Sequence, residues 1–139
     1  MISITSDLIT HVKLIDEQHR ELFNRINAVE LIGEEAAASS DHTKEDIEKT
    51  LDFLGSYITK HFGEEEELQV RYNYPKHKWH HEMHEWYIAE YHKLRAEYES
   101  NGFSEQYSHL LNESMMKWFV RHVRNVDVEL GKFIRERMK

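Results

Sequence analysis

A single proline, Pro75, and five glycines are all the strongly helix-breaking material in a chain of 139 residues. Such a chain has to be built from long continuous elements joined by short connections. The stretches between the breaks are rich in Glu, Lys, Leu and Ala, and their apolar residues recur at three- and four-residue intervals, which predicts helix. The first predicted helix runs from about Leu14 to Ala37, with Ile15, His19, Leu22, Phe23, Ile26 and Val29 on one face, and ends in Ser39-Ser40-Asp41. The second starts near Thr43, with Asp46 three residues on in a capping-box-like arrangement, and aligns Ile47, Leu51, Leu54, Ile58, His61, Glu65 and Leu68. The turn Tyr72-Asn73-Tyr74-Pro75 breaks it, and Pro75 is predicted at the first position of a third helix.

That third helix carries His77, His80, His84, Tyr87, Tyr91, Leu94 and Tyr98 on one face and stops at Ser100-Asn101-Gly102. A fourth begins near Ser104 and groups Tyr107, Leu111, Met115, Trp118 and His122; a short helical tail follows from about Val128 to Met138. With 40% hydrophobic residues, a chain of this length can bury roughly two thirds of its unfolded surface. Short loops between long helices make the expected fold all-α, an up-down-up-down antiparallel four-helix bundle with a C-terminal helical tail, formed by residues 1–139 as one domain.

Each apolar stripe contains histidine where leucine would be expected, and the second also contains Glu65. A buried imidazole or carboxylate without a partner costs several kcal/mol. Four helices sharing that feature therefore point to a shared partner. His61 and Glu65 are four residues apart, as are His80 and His84, so each pair projects from one helix face. Taken alone, His19 reads as a hydrogen-bonded core histidine, and Glu64 to Glu67 as a solvated acidic face with only Glu65 in register with the core. His77 and His81 repeat the four-residue spacing, but His81 leads to Glu85 and Ile88, off the aromatic stripe, so surface or supporting positions suit them better. His11, His42, His92 and His109 read as surface residues. His122 and Asp127 stand about 140° apart on an ideal helix. Either a π-bulge intervenes or the helix ends there.

With these residues in view, the sequence resembles the bacterial hemerythrins from about Ile15 to Asp127. The resemblance is carried by Ile15-Asp16-Glu17-Gln18-His19, by His61-Phe62-Gly63-Glu64-Glu65, by Tyr74-Pro75 followed by His80 and His84, and by Trp118-Phe119-Val120-Arg121-His122 with Asp127. It implies two iron ions joined by an oxo or hydroxo bridge: His80, His84 and His122 on one, His19 and His61 on the other, and Glu65 and Asp127 bridging both. It also favours His80 with His84 over His77 with His81, through their distance in sequence from Glu65. Leu22, Phe62, Trp118 and Phe119 resemble the family's apolar pocket around the ligand position. Ile4, His11 and Gln69 depart from the family, in which a tryptophan, a glycine and a methionine are usual at the aligned positions. This bears on ligand access.

Such a ligand set fills eleven of the twelve positions of two octahedral metals: five by histidine, four by the two carboxylates and two by the solvent-derived bridge. One position stays open on the metal with two histidines, and imidazole with carboxylate suits iron or manganese. The expected function is reversible dioxygen binding for storage, delivery or sensing. An enzyme using the same site, such as a peroxidase, oxidase or nitric oxide reductase, is the alternative, and a metal-buffering or purely structural bundle, which stoichiometric zinc without oxygen chemistry would support, a third. No histidine has a glutamate three residues before it, so the Glu-x-x-His pairs of ferritin-like oxidising enzymes are missing, which disfavours an oxygenase or ferroxidase.

The remaining composition narrows the partners. There is no cysteine, which excludes disulfides, thiolate zinc and cysteine-bound iron–sulfur clusters. A net charge of −8 argues against nucleic acid and anionic membranes. The amino terminus lacks the pattern of a secretory signal, and no run approaches 18 apolar residues, so the expectation is a cytoplasmic monomer with dioxygen as its ligand.

Overall fold

The computed structural model describes residues 4–38 and 44–138. The proposed cap at Thr43, the Ser39-Ser40-Asp41 stretch and His42 lie outside the described residues, as do the side chains of Val29 and Asp46. After a 3-10 turn at Ser6–Leu8 come three long helices: α1 (Lys13–Ala38), α2 (Lys44–Arg71) and α3 (His77–Asn101). The fourth rod is composite. It runs through α4 (Glu105–Leu111), a π-helical segment Asn112–Lys117, α5 (Trp118–His122), a second π-helical segment Val123–Asp127 and α6 (Val128–Arg137). The expected tail is thus helical and continues the fourth rod.

Side-chain contacts fix the antiparallel order. Tyr91, late in α3, donates its hydroxyl to the Leu51 carbonyl early in α2 at 2.5 Å. Tyr107 in α4 reaches Leu94 O at 3.0 Å, and Tyr87, one turn beyond His84, reaches Met115 O at 2.8 Å. Successive helices therefore run in opposite directions, and the fold is an all-α helical bundle. Gly55 permits the close approach of α2 and α3: a Cβ there would stand 2.5 Å from the Tyr91 ring.

The helix ends follow local chemistry. Ser104 caps α4 by accepting from the Tyr107 amide at 3.0 Å. Gly102, at φ 74, ends α3 in a region that strains any residue with a Cβ. Pro75 is not the first residue of α3, which begins two residues later, at His77. The chain first closes the end of α2 through Tyr74 N to Gln69 O at 2.8 Å, with Asn73 at φ 56, and Pro75 then falls inside the turn from Tyr74 to His77.

The buried stripes largely match the periodic reading, and each is divided by one polar belt. On one side of the belt lies the main core, with Leu22, Phe23, Leu54, Ile58, Phe62, Tyr87, Met115, Phe119 and Val123 among its members. On the other side lies a smaller cluster of Val12, Ile15, Tyr74, Leu130 and Ile134. Burying each fully enclosed Leu, Ile or Phe is worth about 1.5–3 kcal/mol, so both clusters clamp the belt between them. The smaller one closes because α6 presents Gly131, where a Cβ would come within 2.7 Å of Thr10.

Candidate metal centre

The belt consists of His19 from α1, His61 and Glu65 from α2, His80 and His84 from α3, His122 from α5 and Asp127 from the second π segment. All are buried. The π segment explains how His122 and Asp127 converge: an i to i+5 turn returns residues five apart to one face. His122 Nε2 stands 3.1 Å from Asp127 Oδ1. The first π segment has a second effect, shifting the register so that Phe119 is fully buried while Trp118 is only half-buried.

The two carboxylates each divide their oxygens between two groups of imidazoles. Glu65 Oε1 lies 3.0 Å from His80 Nε2 and 3.2 Å from His84 Nε2, whereas its Oε2 lies 3.5 Å from His61 Nε2 and 3.6 Å from His19 Nε2. Asp127 Oδ1 lies 2.9 Å from His80 Nε2, and its Oδ2 lies 2.9 Å from His19 Nε2. Two overlapping donor sets result, Glu65-His80-His84-His122-Asp127 and His19-His61-Glu65-Asp127, each with one donor atom per residue within 4.8 Å of all the others. Both carboxylates belong to both sets.

These short distances are not hydrogen bonds in direction. Both oxygens of Glu65 and of Asp127, and the Nε2 atoms of His19, His61 and His84, are buried with no hydrogen-bond partner. Lone pairs that converge without satisfying one another fit a cation, and the nitrogen and oxygen donors suit iron. Electrostatics agree. Burial favours neutral Glu65 and Asp127, but the facing imidazoles hold both well below the usual carboxylate range. Burial would depress His19 and His80 too; Asp127 and Glu65 overcome it and raise them to about 9 and about 10. His61 goes the other way, to about 3, because burial dominates.

Three of the imidazoles are held from behind. His61 Nδ1 donates to Gln18 Oε1 at 2.8 Å, and Gln18 in turn donates to Glu64. His84 Nδ1 lies 3.2 Å from Glu66 Oε2, whose other oxygen meets the exposed His81. A hydrogen on Nδ1 leaves Nε2 as the lone-pair atom, the form that binds a metal. Gln69 stands behind His80, 3.0 Å from its Nδ1. The periodic reading missed Gln18, Glu64 and Glu66, because none is on a core stripe; Glu64 and Glu66 are not the purely solvated face expected of them. Gln69 had a signal, lying four residues after Glu65 and eight after His61. Asp16 pins the amino-terminal arm. It accepts from Thr10 N at 2.8 Å, Thr10 Oγ1 at 2.7 Å and His11 N at 3.0 Å, and so holds exposed His11 at φ 65.

The four residues expected to line a pocket divide. Phe119 faces the two-histidine set, its ring edge-on to His19 at 5.5 Å and to His61 at 6.4 Å. Phe62 stacks flat on His84 at 3.8 Å, although it also approaches His61 at 5.6 Å. Trp118 stacks on His122 at 4.7 Å, on the three-histidine side, and meets exposed Trp86 at 5.6 Å. Leu22 is buried in the main core. His77 is half-buried against Gln69, and His81, His92 and His109 are exposed.

A family model described as the Hemerythrin HHE cation binding domain matches residues 10–134. The chain is 26% identical over 132 residues to the protein named Bacteriohemerythrin from Pseudomonas paraeruginosa strain PA7, covering 95% of this chain and 80% of that one. It is also 26% identical over 121 residues to the Bacteriohemerythrin of Stenotrophomonas maltophilia strain R551-3, covering 87% and 73%.

Proposed function

The chain belongs to the hemerythrin HHE cation-binding family, and from that premise we propose that it binds dioxygen reversibly at a non-haem di-iron centre, for storage, delivery or sensing. One observation carries the reading: Glu65 and Asp127 each offer one oxygen to the His80 group and the other to the His19 group. Carboxylates so placed are built to bridge two ions. In this reading His80, His84 and His122 hold one iron, His19 and His61 hold the other, and residues 1–139 act as a single domain.

Iron held there would supply the exchangeable electrons that dioxygen binding needs. The protein supplies the asymmetry and the dryness. His80, His84 and His122 would hold an ion on one side and only His19 and His61 on the other, so an added ligand would find room on the His19–His61 side, where Phe119 lies edge-on to both rings. Phe62, 5.6 Å from His61, and Leu22, one turn after His19, are fully buried and would extend that apolar wall, while Trp118 stacks on His122 on the other side. Excluding water removes the proton source that promotes loss of reduced oxygen, so an apolar wall favours release of dioxygen unchanged. Gln18 and Glu66 hold His61 and His84 in the metal-binding form.

Among the described residues no helix is long and apolar enough to cross a membrane. As a separate part of the same proposal, the protein is a cytoplasmic monomer whose ligand is dioxygen. The decisive experiment is metal analysis with one deoxygenation cycle. Two irons per chain, and a visible absorption band that appears when the reduced protein meets oxygen and vanishes under inert gas, are expected. Oxygenation without reversal favours a peroxidase, oxidase or nitric oxide reductase at the same site. Bound zinc without any oxygen chemistry overturns both readings.

A further inference from the structure

Gln69 is fully buried, one helical turn beyond Glu65 on α2. Its side-chain amide lies between two imidazoles, with Nε2 3.0 Å from His80 Nδ1 and Oε1 3.1 Å from His77 Nδ1. His80 is the imidazole that approaches both carboxylates most closely through Nε2, at 3.0 Å from Glu65 and 2.9 Å from Asp127. A buried amide must use its donors and its acceptor, and this one has a single imidazole at each end.

We propose that Gln69 is a positioning residue for the metal centre: its amide fixes the ring orientation and tautomer of His80 and links that ring to His77. An imidazole that gives its Nε2 lone pair to a metal carries its hydrogen on Nδ1, and only the oxygen of Gln69 can accept it. A half-turn of the amide about its terminal bond presents that oxygen from the same place, and the NH2 then donates to His77 Nδ1. One amide thus sets two tautomers, leaving the hydrogen of His77 on Nε2. An acceptor behind a ligating imidazole makes it a stronger electron donor, so Gln69 tunes the ion that His80 holds. The inference rests on the metal-centre reading above and extends it to a residue outside the ligand set.

The test compares Gln69→Glu and Gln69→Met with the wild-type protein. Both keep nearly the same side-chain length, and circular dichroism establishes that each is folded. Zinc-loaded protein is challenged with a chelator, and the reduction potential of iron-loaded protein is measured by redox titration. Gln69→Met is expected to release zinc about ten- to a hundred-fold faster and to raise the potential, because the Nδ1 hydrogen loses its acceptor. Gln69→Glu is expected to retain zinc and to lower the potential, because a carboxylate pushes more electron density through His80. His77→Ala should move both readouts the same way as Gln69→Met, by less. Potentials that shift in the same direction for both Gln69 variants, or unchanged zinc release in Gln69→Met, overturn the proposal. Wild-type protein that takes up no metal overturns the metal-centre reading and this inference together. Normal uptake with unaltered variants overturns this inference alone.

Discussion

The main core and the polar belt are enclosed to the same degree, yet they treat polar atoms in opposite ways. In the core, the tyrosine hydroxyls of Tyr87, Tyr91 and Tyr107 each reach a backbone carbonyl on a neighbouring helix at 2.5–3.0 Å. In the belt, the four oxygens of Glu65 and Asp127 and three imidazole nitrogens point at one another without bonding. Protein interiors leave few polar groups unpaired. A core that satisfies itself and a belt that does not, packed together in one bundle, teach that the belt was built around something the polypeptide does not itself supply.

The largest expected effect separates the two regions by removing the ion. Stripping metal with a chelator should lower the melting temperature strongly, by the equivalent of several kcal/mol, because it strands seven polar side chains in an enclosed space. Equal melting with and without metal would erase the contrast. The metal-free protein should also be sensitive to alkali. His19 and His80, raised to about 9 and about 10, contribute stability that is fully present below pH 6.5 and is lost as pH climbs through those values. Thermal scans between pH 7 and 10 should therefore fall for the metal-free form and stay flatter for the loaded one.

A truncation in the core should show the reverse pattern. Leu54→Ala removes a fully buried side chain and should cost about 2–5 kcal/mol in denaturant titrations while leaving metal content at the wild-type level. Loss of metal in that variant would mean that the two regions are one cooperative unit. Glu65→Leu sharpens the difference further. It should abolish uptake of the full metal complement and also destabilise the metal-free protein by about 3–5 kcal/mol, because it leaves the imidazoles that faced Glu65 with Asp127 as their remaining carboxylate. A metal-free Glu65→Leu as stable as wild type would indicate that the imidazoles do not compensate Glu65 and that only the ion does. The smallest effect is reserved for a satisfied group: Tyr87→Phe removes one hydrogen bond to the Met115 carbonyl, which keeps the Trp118 amide, and should cost about 0.5–1.5 kcal/mol without altering metal content.

How far the sequence can be read depends on what each residue's position encodes. Ile47, Leu51, Leu54, Ile58, His61 and Glu65 follow a helical period, and all six are buried as that period requires. His80, His84, Tyr87, Tyr91, Leu94 and Tyr98 do the same on α3. Gln18, Glu64 and Glu66 are illegible, because their partners lie on other helices and nothing in α1 or α2 alone distinguishes a glutamate held by an imidazole from one held by water. Trp118 belongs to the fourth stripe by its period, and half-buried it is the exception there. The first π segment inserts a residue into the turn, so the stripe passes from Met115 to Phe119. Local sequence does not announce such a bulge, because its cost is offset by packing against α1 and α3.

What the amino-acid order determined by itself was the bundle and the presence of a polar belt. Helical period, scarce breakers and short connections are local properties, and a histidine in an apolar stripe is visible as soon as the stripe is. What only the tertiary structure decided was which atom of each belt residue faces which partner: one oxygen of Glu65 and of Asp127 to each imidazole group, His61 held from behind by Gln18, and His80 set against Gln69. Those relations depend on rotamers and on helix positions fixed to within an ångström by close packing. They belong to the assembled interior, and no single helix contains them.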